Sequence, residues 1–209
     1  NGIETYNCGN ATEAVIGKME YVKISATDTG MLISAPVGTA KNCEIYGENI
    51  GIVMYRKGTY STTLTLEDSK VTGKNVPIFV HDENFYDENK INTGKVELKI
   101  DTNTELISTN NDYIIETKLG MKEEANSTIE YNNSKCVATK EDGSVEYYIE
   151  HSCSKEWSFD ENGHYHICEK CGEIDTVVKH QYVLDETTVK EATCTTEGYT
   201  GDKKCECGH

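Results

Sequence analysis

The stretch Ile45-Tyr46-Gly47-Glu48-Asn49-Ile50-Gly51-Ile52 is matched 26 residues later by Val71-Thr72-Gly73-Lys74-Asn75-Val76-Pro77-Ile78. A weaker copy precedes it by 21 residues, because Val22-Lys23-Ile24-Ser25-Ala26 has the same phase as Cys43-Glu44-Ile45-Tyr46-Gly47. Each copy alternates apolar and polar residues and then reaches a small residue or glycine, which predicts short strands with turns between them. Repeats of this length with short strands are typical of solenoid proteins.

A fourth copy follows an acidic insertion at residues 81–89. It begins at Val96-Glu97-Leu98-Lys99-Ile100 and ends with Leu106-Ile107-Ser108, which echoes Leu32-Ile33-Ser34 of the first copy. One strand pair cannot bury its apolar face alone, so we expect successive coils to stack. The predicted interior row consists of Ile24, Ile45, Val71 and Leu98. Alternation along the strands predicts an outward row of Lys23, Glu44, Lys70 and Glu97.

These rows predict a mainly β fold in which residues 1–110 form a right-handed parallel β-helix. Corner glycines are expected to supply the positive φ that a tight change of direction requires. An antiparallel β-sandwich is the alternative fold. In residues 111–150 the repeat fades, and we predict a β cap or linker with strands near Ile114, Ile129 and Tyr147 and a turn at Glu141-Asp142-Gly143-Ser144.

The chain has 36 acidic and 20 basic side chains and a formal net charge of -16. A negative surface repels the phosphate backbone, so the composition argues against nucleic acid as a partner. No apolar run is long enough to span a bilayer, and we expect no membrane insertion in this fragment. Because the sequence starts within a strand pattern and ends within a cysteine motif, we expect it to be a piece of a longer protein.

Residues 151–209 hold five of the six His and six of the nine Cys. The segment Cys168-Glu169-Lys170-Cys171-Gly172 has the spacing of a zinc knuckle, in which a tight turn brings two thiolates to one ion. In an extended strand, His164 and His166 share a face with Cys168. We therefore predict a small zinc-knuckle-like β module over residues 151–209, truncated at its C-terminus. The predicted zinc ligands are His166, Cys168, Cys171 and His180.

Other assignments of these side chains stay open. His151 can replace His180 as a ligand, and Cys205 and Cys207 can join the knuckle cysteines in an all-thiolate site. The cysteines can instead form a disulfide scaffold, which an extracellular location permits. A redox role is less favoured, since no βαβ pattern flanks the C-x-x-C motif.

The C-terminal pattern resembles a short repeat in large, adhesin-like surface proteins of Gram-positive gut bacteria. The residues that carry the resemblance are His151…Trp157…His164-Tyr165-His166…Cys168…Cys171-Gly172…His180 and Ala192-Thr193-Cys194…Gly198-Tyr199…Cys205…Cys207-Gly208. It departs from that family at Cys205-Glu206-Cys207, where the family has two residues between the cysteines. The resemblance covers residues 151–209 only. It implies an extracellular location, at the cell surface or in the cell wall, and a spacer or interaction role.

The sequence thus predicts a non-catalytic structural or adhesion-type surface protein fragment with a zinc-binding spacer module. Its expected partners are a host or cell-wall glycan or protein. A zinc ribbon that binds nucleic acid is disfavoured, because residues 151–209 contain 12 acidic and 6 basic side chains.

The alternative function is a carbohydrate-active β-helix, either a polysaccharide lyase or glycoside hydrolase-like enzyme or a glycan-binding region. Such enzymes need clustered carboxylates for acid–base chemistry. The candidates, in the acidic insertion and the coil before it, are His81, Asp82, Glu83, Asp87 and Glu88, with Arg56 and Lys57. The aromatic candidates for stacking on sugars are Tyr55, Tyr60, Phe79, Phe85 and Tyr86.

Overall fold

The structure is a computed structural model that describes residues 2–6, 16–82, 93–119, 127–131 and 133–209. It is mainly β, and the chain divides into two compact units, residues 1–150 and residues 151–209. Within the described residues, no helix has the length and apolar character needed to cross a lipid bilayer.

Short strands follow one another closely in the first unit. In chain order they are β1 (Ile3–Tyr6), β2 (Ile16–Glu20), β3 (Lys23–Ala26), β4 (Thr29–Ser34), β5 (Val37–Lys41), β6 (Glu44–Gly47), β7 (Ile50–Arg56), β8 (Thr62–Glu67), β9 (Lys70–Gly73), β10 (Val76–Asp82), β11 (Val96–Ile100), β12 (Glu105–Ser108), β13 (Tyr113–Lys118), β14 (Ser127–Tyr131), β15 (Cys136–Thr139) and β16 (Val145–Tyr148). The C-terminal unit contains β17 (Ser158–Phe159), β18 (His164–Tyr165), β19 (Val183–Asp185), a 3₁₀ helix (Glu186–Thr188) and β20 (Asp202–Lys204).

Strands β1 to β14 of the first unit form three sheets with parallel neighbours. Sheet A has the order β1-β4-β7-β10-β13, sheet B has the order β2-β5-β8-β11-β14, and sheet C has the order β3-β6-β9-β12. The chain visits them in the fixed order B, C, A, and each visit pairs in parallel with the visit before it. The parallel pairing contradicts the antiparallel sandwich for these strands.

The predicted interior row is found in sheet C, with one error. Ile24, Ile45 and Val71 are partners on neighbouring strands, which confirms three of its members. The fourth is wrong, because Val71 pairs with Leu106, while Leu98 lies on β11 of sheet B. Leu98 is nevertheless fully buried. Each pass of the chain through sheets B, C and A contains three alternating strands, so a strand of one sheet can be mistaken for a strand of another.

Sheet A supplies a second interior row. Its members are register partners with no exposed surface, namely Met31, Ile52, Ile78 and Ile115. The first three confirm the offsets predicted from the repeat. The predicted echo between residues 106–108 and 32–34 is wrong, because the former lie in sheet C and the latter in sheet A.

The predicted outward row also contains one wrong member. Lys23 and Glu44 form an ion pair at 2.8 Å, and Lys70 pairs with Glu105 at 2.9 Å. Glu105, rather than Glu97, therefore continues this row. Glu97 belongs to sheet B, where it forms ion pairs with Lys95 and Lys99, two residues before and after it. These pairs are exposed and add little to the free energy of folding.

Three of the corners between sheets B and C use positive φ at residues other than glycine. Tyr21, Asn42 and Asp68 have φ values of 56°, 51° and 47°. Gly47 does not have a positive φ, but a Cβ at this position would lie 1.8 Å from the carbonyl oxygen of Ile50. The predicted reason for corner glycines is therefore wrong here. Glycine is required because two backbone segments approach too closely for a side chain.

A hairpin ends the parallel series of sheet A. β16 pairs antiparallel with both β13 and β15. The N–H of Lys140 donates to the carbonyl of Ser144 at 2.8 Å, and Gly143 has a φ of 82°. The strands and the turn predicted in residues 111–150 are confirmed.

An asparagine ladder runs along the exposed corner between sheets C and A. Asn49 Nδ2 donates to Asp28 Oδ1 at 3.2 Å, Asn75 Nδ2 donates to Asn49 Oδ1, and Asn110 Nδ2 donates to Asn75 Oδ1 at 2.8 Å. These bonds connect successive passes of the chain through side chains alone.

We expect Asn75→Ala to lower the free energy of unfolding by about 1 to 2 kcal/mol, since it removes the two side-chain hydrogen bonds of Asn75. Denaturant unfolding of the full chain measures this change. The double variant Asn49→Ala/Asn75→Ala should cost less than the sum of the single variants, because both break the Asn49–Asn75 bond. Strict additivity, or an unchanged stability of Asn75→Ala, would contradict the ladder's role.

Candidate metal centres

The C-terminal unit buries side chains of metal-ligand type rather than aliphatic ones. Its buried residues are Gly163, His164, Cys168 and Cys205. Large apolar side chains stay in contact with solvent, and Val183, for example, is 69% exposed. A unit of this size with so little apolar interior needs another source of folding free energy, such as disulfides or metal. Cys153, Cys168, Cys171, Cys194, Cys205 and Cys207 are all unbridged.

One group, which we name the Cys2His2 group, contains His164, His180, Cys205 and Cys207. One ligand atom from each of these side chains lies within 4.8 Å of the others. Cys205 Sγ is 3.5 Å from His164 Nδ1, and Cys207 Sγ is 3.4 Å from His180 Nδ1. A tetrahedral zinc with Zn–S of about 2.3 Å and Zn–N of about 2.0 to 2.1 Å separates S from N by about 3.6 Å. The ligand atoms therefore have the spacing that one zinc ion requires.

Neighbouring groups orient the two imidazoles. His180 Nε2 lies 2.8 Å from the carbonyl oxygen of Asp160, which leaves Nδ1 free to face the sulfur atoms. His164 is 1% exposed, and its Nε2 lies 3.5 Å from Glu206 Oε1. Metal-bound histidines typically donate the second ring N–H to a carbonyl or a carboxylate. His180 has such a group at hydrogen-bond distance, whereas within the described residues His164 Nε2 makes no hydrogen bond and has Glu206 Oε1 beside it.

The second group, which we name the knuckle group, contains His151, Cys168 and Cys171, whose ligand atoms also lie within 4.8 Å of one another. The N–H of Gly172 donates to the carbonyl of Cys168 at 2.9 Å, and Gly172 has a φ of 76°. His151 Nδ1 lies 3.5 Å from Cys171 Sγ, and His151 Nε2 lies 3.5 Å from Glu173 Oε2. The S···N distance again matches a tetrahedral zinc edge.

One thiol of each group ionises readily. A hydrogen bond from the backbone of Cys207 is the main reason that the pKa of Cys205 falls to about 6, and it outweighs the opposing effect of burial. Burial also opposes ionisation of Cys168, but hydrogen bonds from the backbone of Cys171 and from His151 lower its pKa to about 6. The thiolate is the form that binds metal, so both groups offer it near neutral pH.

The structure does not bring the four predicted ligands together. Cys168 and Cys171 lie together in the knuckle group, whereas His180 lies in the Cys2His2 group. His166 belongs to neither group. Its ring stacks on Trp157 with centroids 3.9 Å apart, and its Nδ1 lies 3.1 Å from the carbonyl oxygen of Glu156.

The local backbone explains this division. β18 ends at Tyr165, so the strand alternation that would place His166 beside Cys168 does not continue. The N–H of His166 instead donates to Asp175 Oδ1 at 2.8 Å. Trp157 lies against both His164 and His166.

The C-x-C motif forms a turn like that of the knuckle. The N–H of Gly208 donates to the carbonyl of Cys205 at 2.9 Å, and Gly208 has a φ of 90°. The departure from the two-residue spacing therefore does not prevent Cys205 and Cys207 from presenting both sulfur atoms to one centre. Cys205 and Cys207 belong to a different group from Cys168 and Cys171. The structure therefore does not bring the four cysteines together in the all-thiolate site that the sequence left open.

The structure describes some members of the candidate acid–base cluster of the first unit. Asp82 is 3% exposed and bonds Arg56, which is itself buried. His81 is half-buried and stacks on Tyr55, with centroids 5.1 Å apart. Phe79 also lies beside His81, with ring centroids 5.2 Å apart. Glu83, Phe85, Tyr86, Asp87 and Glu88 lie outside the described residues.

Comparisons of the chain with models of protein families, with curated proteins and with solved structures find no match.

Proposed function

We propose that this chain is a non-catalytic segment of an extracellular surface protein. In this proposal the first unit is a right-handed parallel β-helix that serves as a spacer or adhesive surface. The C-terminal unit is a zinc-binding module that stiffens the connection to neighbouring segments. The partners are a host or cell-wall glycan or protein.

The order of the sheets supports a β-helix. The chain passes through sheets B, C and A repeatedly, and equivalent positions stack in parallel register, as Ile24, Ile45 and Val71 do. Stacked coils of this kind extend in one dimension and present repetitive lateral faces. A long lateral face suits adhesion or spacing.

The single observation that carries the zinc proposal is the make-up of the interior of the C-terminal unit. Its buried side chains are His164, Cys168 and Cys205, and each belongs to a group with the S···N distances of tetrahedral zinc. The Cys2His2 group supplies four Cys and His ligands and keeps no position open for a substrate, which is typical of a structural zinc site. Such a metal contributes directly to the free energy of folding.

The location and the partners are supported by the sequence. The His and Cys pattern of residues 151–209 resembles repeats in surface proteins of Gram-positive gut bacteria. The net charge of -16 disfavours nucleic acid as the partner of the zinc module. In the described part of the first unit, Arg56 and Asp82 are committed to a buried ion pair rather than to an exposed acid–base pair.

The test is the zinc content of the reduced, purified full chain, measured by elemental analysis. We expect two zinc ions per chain, one for each group. Cys207→Ser should remove about one equivalent, because it deletes one of four ligands in a closed structural site. Cys194→Ser is the matched control, since Cys194 is exposed and belongs to neither group, and its zinc content should stay at the native value.

A second control tests whether the zinc ligands are those that the structure groups together or those that the sequence pattern predicted. His166→Asn should also keep the native zinc content, because His166 belongs to neither group. A reduced chain that binds no zinc, or a Cys207→Ser variant with native zinc content, would refute the proposed module.

A further inference from the structure

Cys153 lies directly across from Cys168 on an antiparallel neighbour. The two residues form an isolated antiparallel bridge. The N–H of Ser154 donates to the carbonyl of Ile167 at 2.8 Å, and the N–H of Glu169 donates to the carbonyl of Ser152 at 2.8 Å. The hydrogen bonds thus lie on both sides of the cysteine pair, which makes it a non-hydrogen-bonded pair.

This geometry suits a disulfide. In a non-hydrogen-bonded antiparallel pair the Cα atoms are about 4.5 Å apart and the side chains approach closely. Disulfides form when the Cα atoms are about 4.4 to 6.8 Å apart, so a bond between the two sulfur atoms needs no large backbone movement. Cys153 is exposed to solvent, whereas Cys168 is 2% exposed. An oxidant can therefore reach Cys153 first, and Cys168 is already beside it.

The pair has a consequence for metal binding, because Cys168 also belongs to the knuckle group. A sulfur atom in a disulfide is no longer the thiolate that a zinc ion requires. Cys153 lies outside that group, and so it can be oxidised without first losing a metal bond. Disulfide and metal therefore compete for one sulfur atom.

We propose that Cys153 and Cys168 are a redox-active pair, and that a low-molecular-weight disulfide converts them to a disulfide and expels the metal from the knuckle group. The metal part of this inference rests on the proposed zinc-binding function. The Cys2His2 group shares no cysteine with the pair and keeps its own metal.

The reaction balances as two thiol–disulfide exchanges. The thiolate of Cys153 attacks one sulfur of the low-molecular-weight disulfide, which forms a mixed disulfide and releases one thiolate. The thiolate of Cys168 then attacks the Cys153 sulfur and releases the second. The protein loses two electrons and the oxidant gains them. The bond from the metal to Cys168 breaks as the new S–S bond forms. The proton of Cys153 ends on one released thiol, and the second released thiolate takes its proton from water, because metal-bound Cys168 carries none.

The experiment treats the zinc-loaded full chain with oxidised glutathione and follows zinc release with a chromophoric chelator. Peptide mapping without reduction then identifies the bridged cysteines. We expect a Cys153–Cys168 bridge and release of about one zinc per chain, with release slowed at least about tenfold in Cys153→Ser. Cys194→Ser, which removes another exposed thiol, should release zinc at the native rate.

A bridge between Cys168 and Cys171, or equal release from Cys153→Ser and the native chain, would overturn the inference. The zinc content before oxidation reports on the proposed function alone. A zinc-loaded chain without the Cys153–Cys168 bridge thus defeats only this inference, while a zinc-free chain defeats the proposed function.

Discussion

Removal of zinc with a strong chelator is expected to unfold residues 151–209 while the first unit stays folded. The C-terminal unit buries His164, Cys168 and Cys205 but exposes most of its aliphatic side chains. Without metal its interior consists of thiols and imidazoles, which gain little from burial. Structural zinc in small modules binds with an apparent free energy of about 10 to 16 kcal/mol. This is far more than the folding free energy that such a unit has without metal.

The first unit provides an internal control for this experiment. Its interior rows, for example Met31, Ile52 and Ile78, are aliphatic and fully buried, so they need no ion. Hydrogen exchange measured by mass spectrometry should show loss of protection in residues 151–209 after chelation and unchanged protection in β7 and β10. Added zinc should restore the protection. Retention of protection in the C-terminal unit without metal would show that metal does not hold it together.

Local sequence patterns predicted those features of both units that depend only on residues close together in the sequence. The alternation of Ile24 and Ile45 with polar neighbours set the face that each strand buries, because successive side chains of a strand point to opposite sides. The C-x-x-C-G spacing likewise predicted the turn at Cys168, since a tight turn and a glycine with positive φ are local requirements. Both features involve residues that are close in sequence.

Long-range partners could not be predicted in the same way. His164 and Cys205 are 41 residues apart, and nothing in the spacing distinguishes this pair from His166 with Cys168. Leu98 and Leu106 both follow the alternation of a buried strand. Because an insertion precedes them and interrupts the repeat, the sequence does not show which sheet each one joins. The choice depends on the path of the chain between the strands, which an alternation pattern does not encode.

Breaking the buried ion pair of the first unit is expected to destabilise it by about 3 to 5 kcal/mol. Arg56 Nη2 donates to Asp82 Oδ2 at 2.6 Å, and the two side chains are 1% and 4% exposed. They are register partners on β7 and β10, and so they face each other inside the unit. Within the described residues, Arg56 Nε and Nη1 make no hydrogen bond, and the guanidinium pairs with the carboxylate of Asp82.

Asp82→Val leaves a buried cation without this carboxylate, and Arg56→Met leaves the carboxylate without its cation. An uncompensated buried charge is costly, whereas replacement of a whole buried pair by apolar residues is often neutral or stabilising. We therefore expect each single variant to be strongly destabilised and Arg56→Met/Asp82→Val to recover most of the loss. Guanidinium unfolding of the first unit, at a constant zinc concentration, measures all three variants.

The double-mutant cycle decides what the pair does. A large favourable coupling means that the two charges are tolerated only together, which would make the pair a determinant of the register between β7 and β10. Additive losses would mean that each side chain acts through packing alone, and single variants within about 1 kcal/mol of the native chain would mean that water reaches the pair. The same cycle tests the alternative catalytic function. If the carboxylate of Asp82 is stable in the interior only when it pairs with Arg56, it is not available as an exposed general acid.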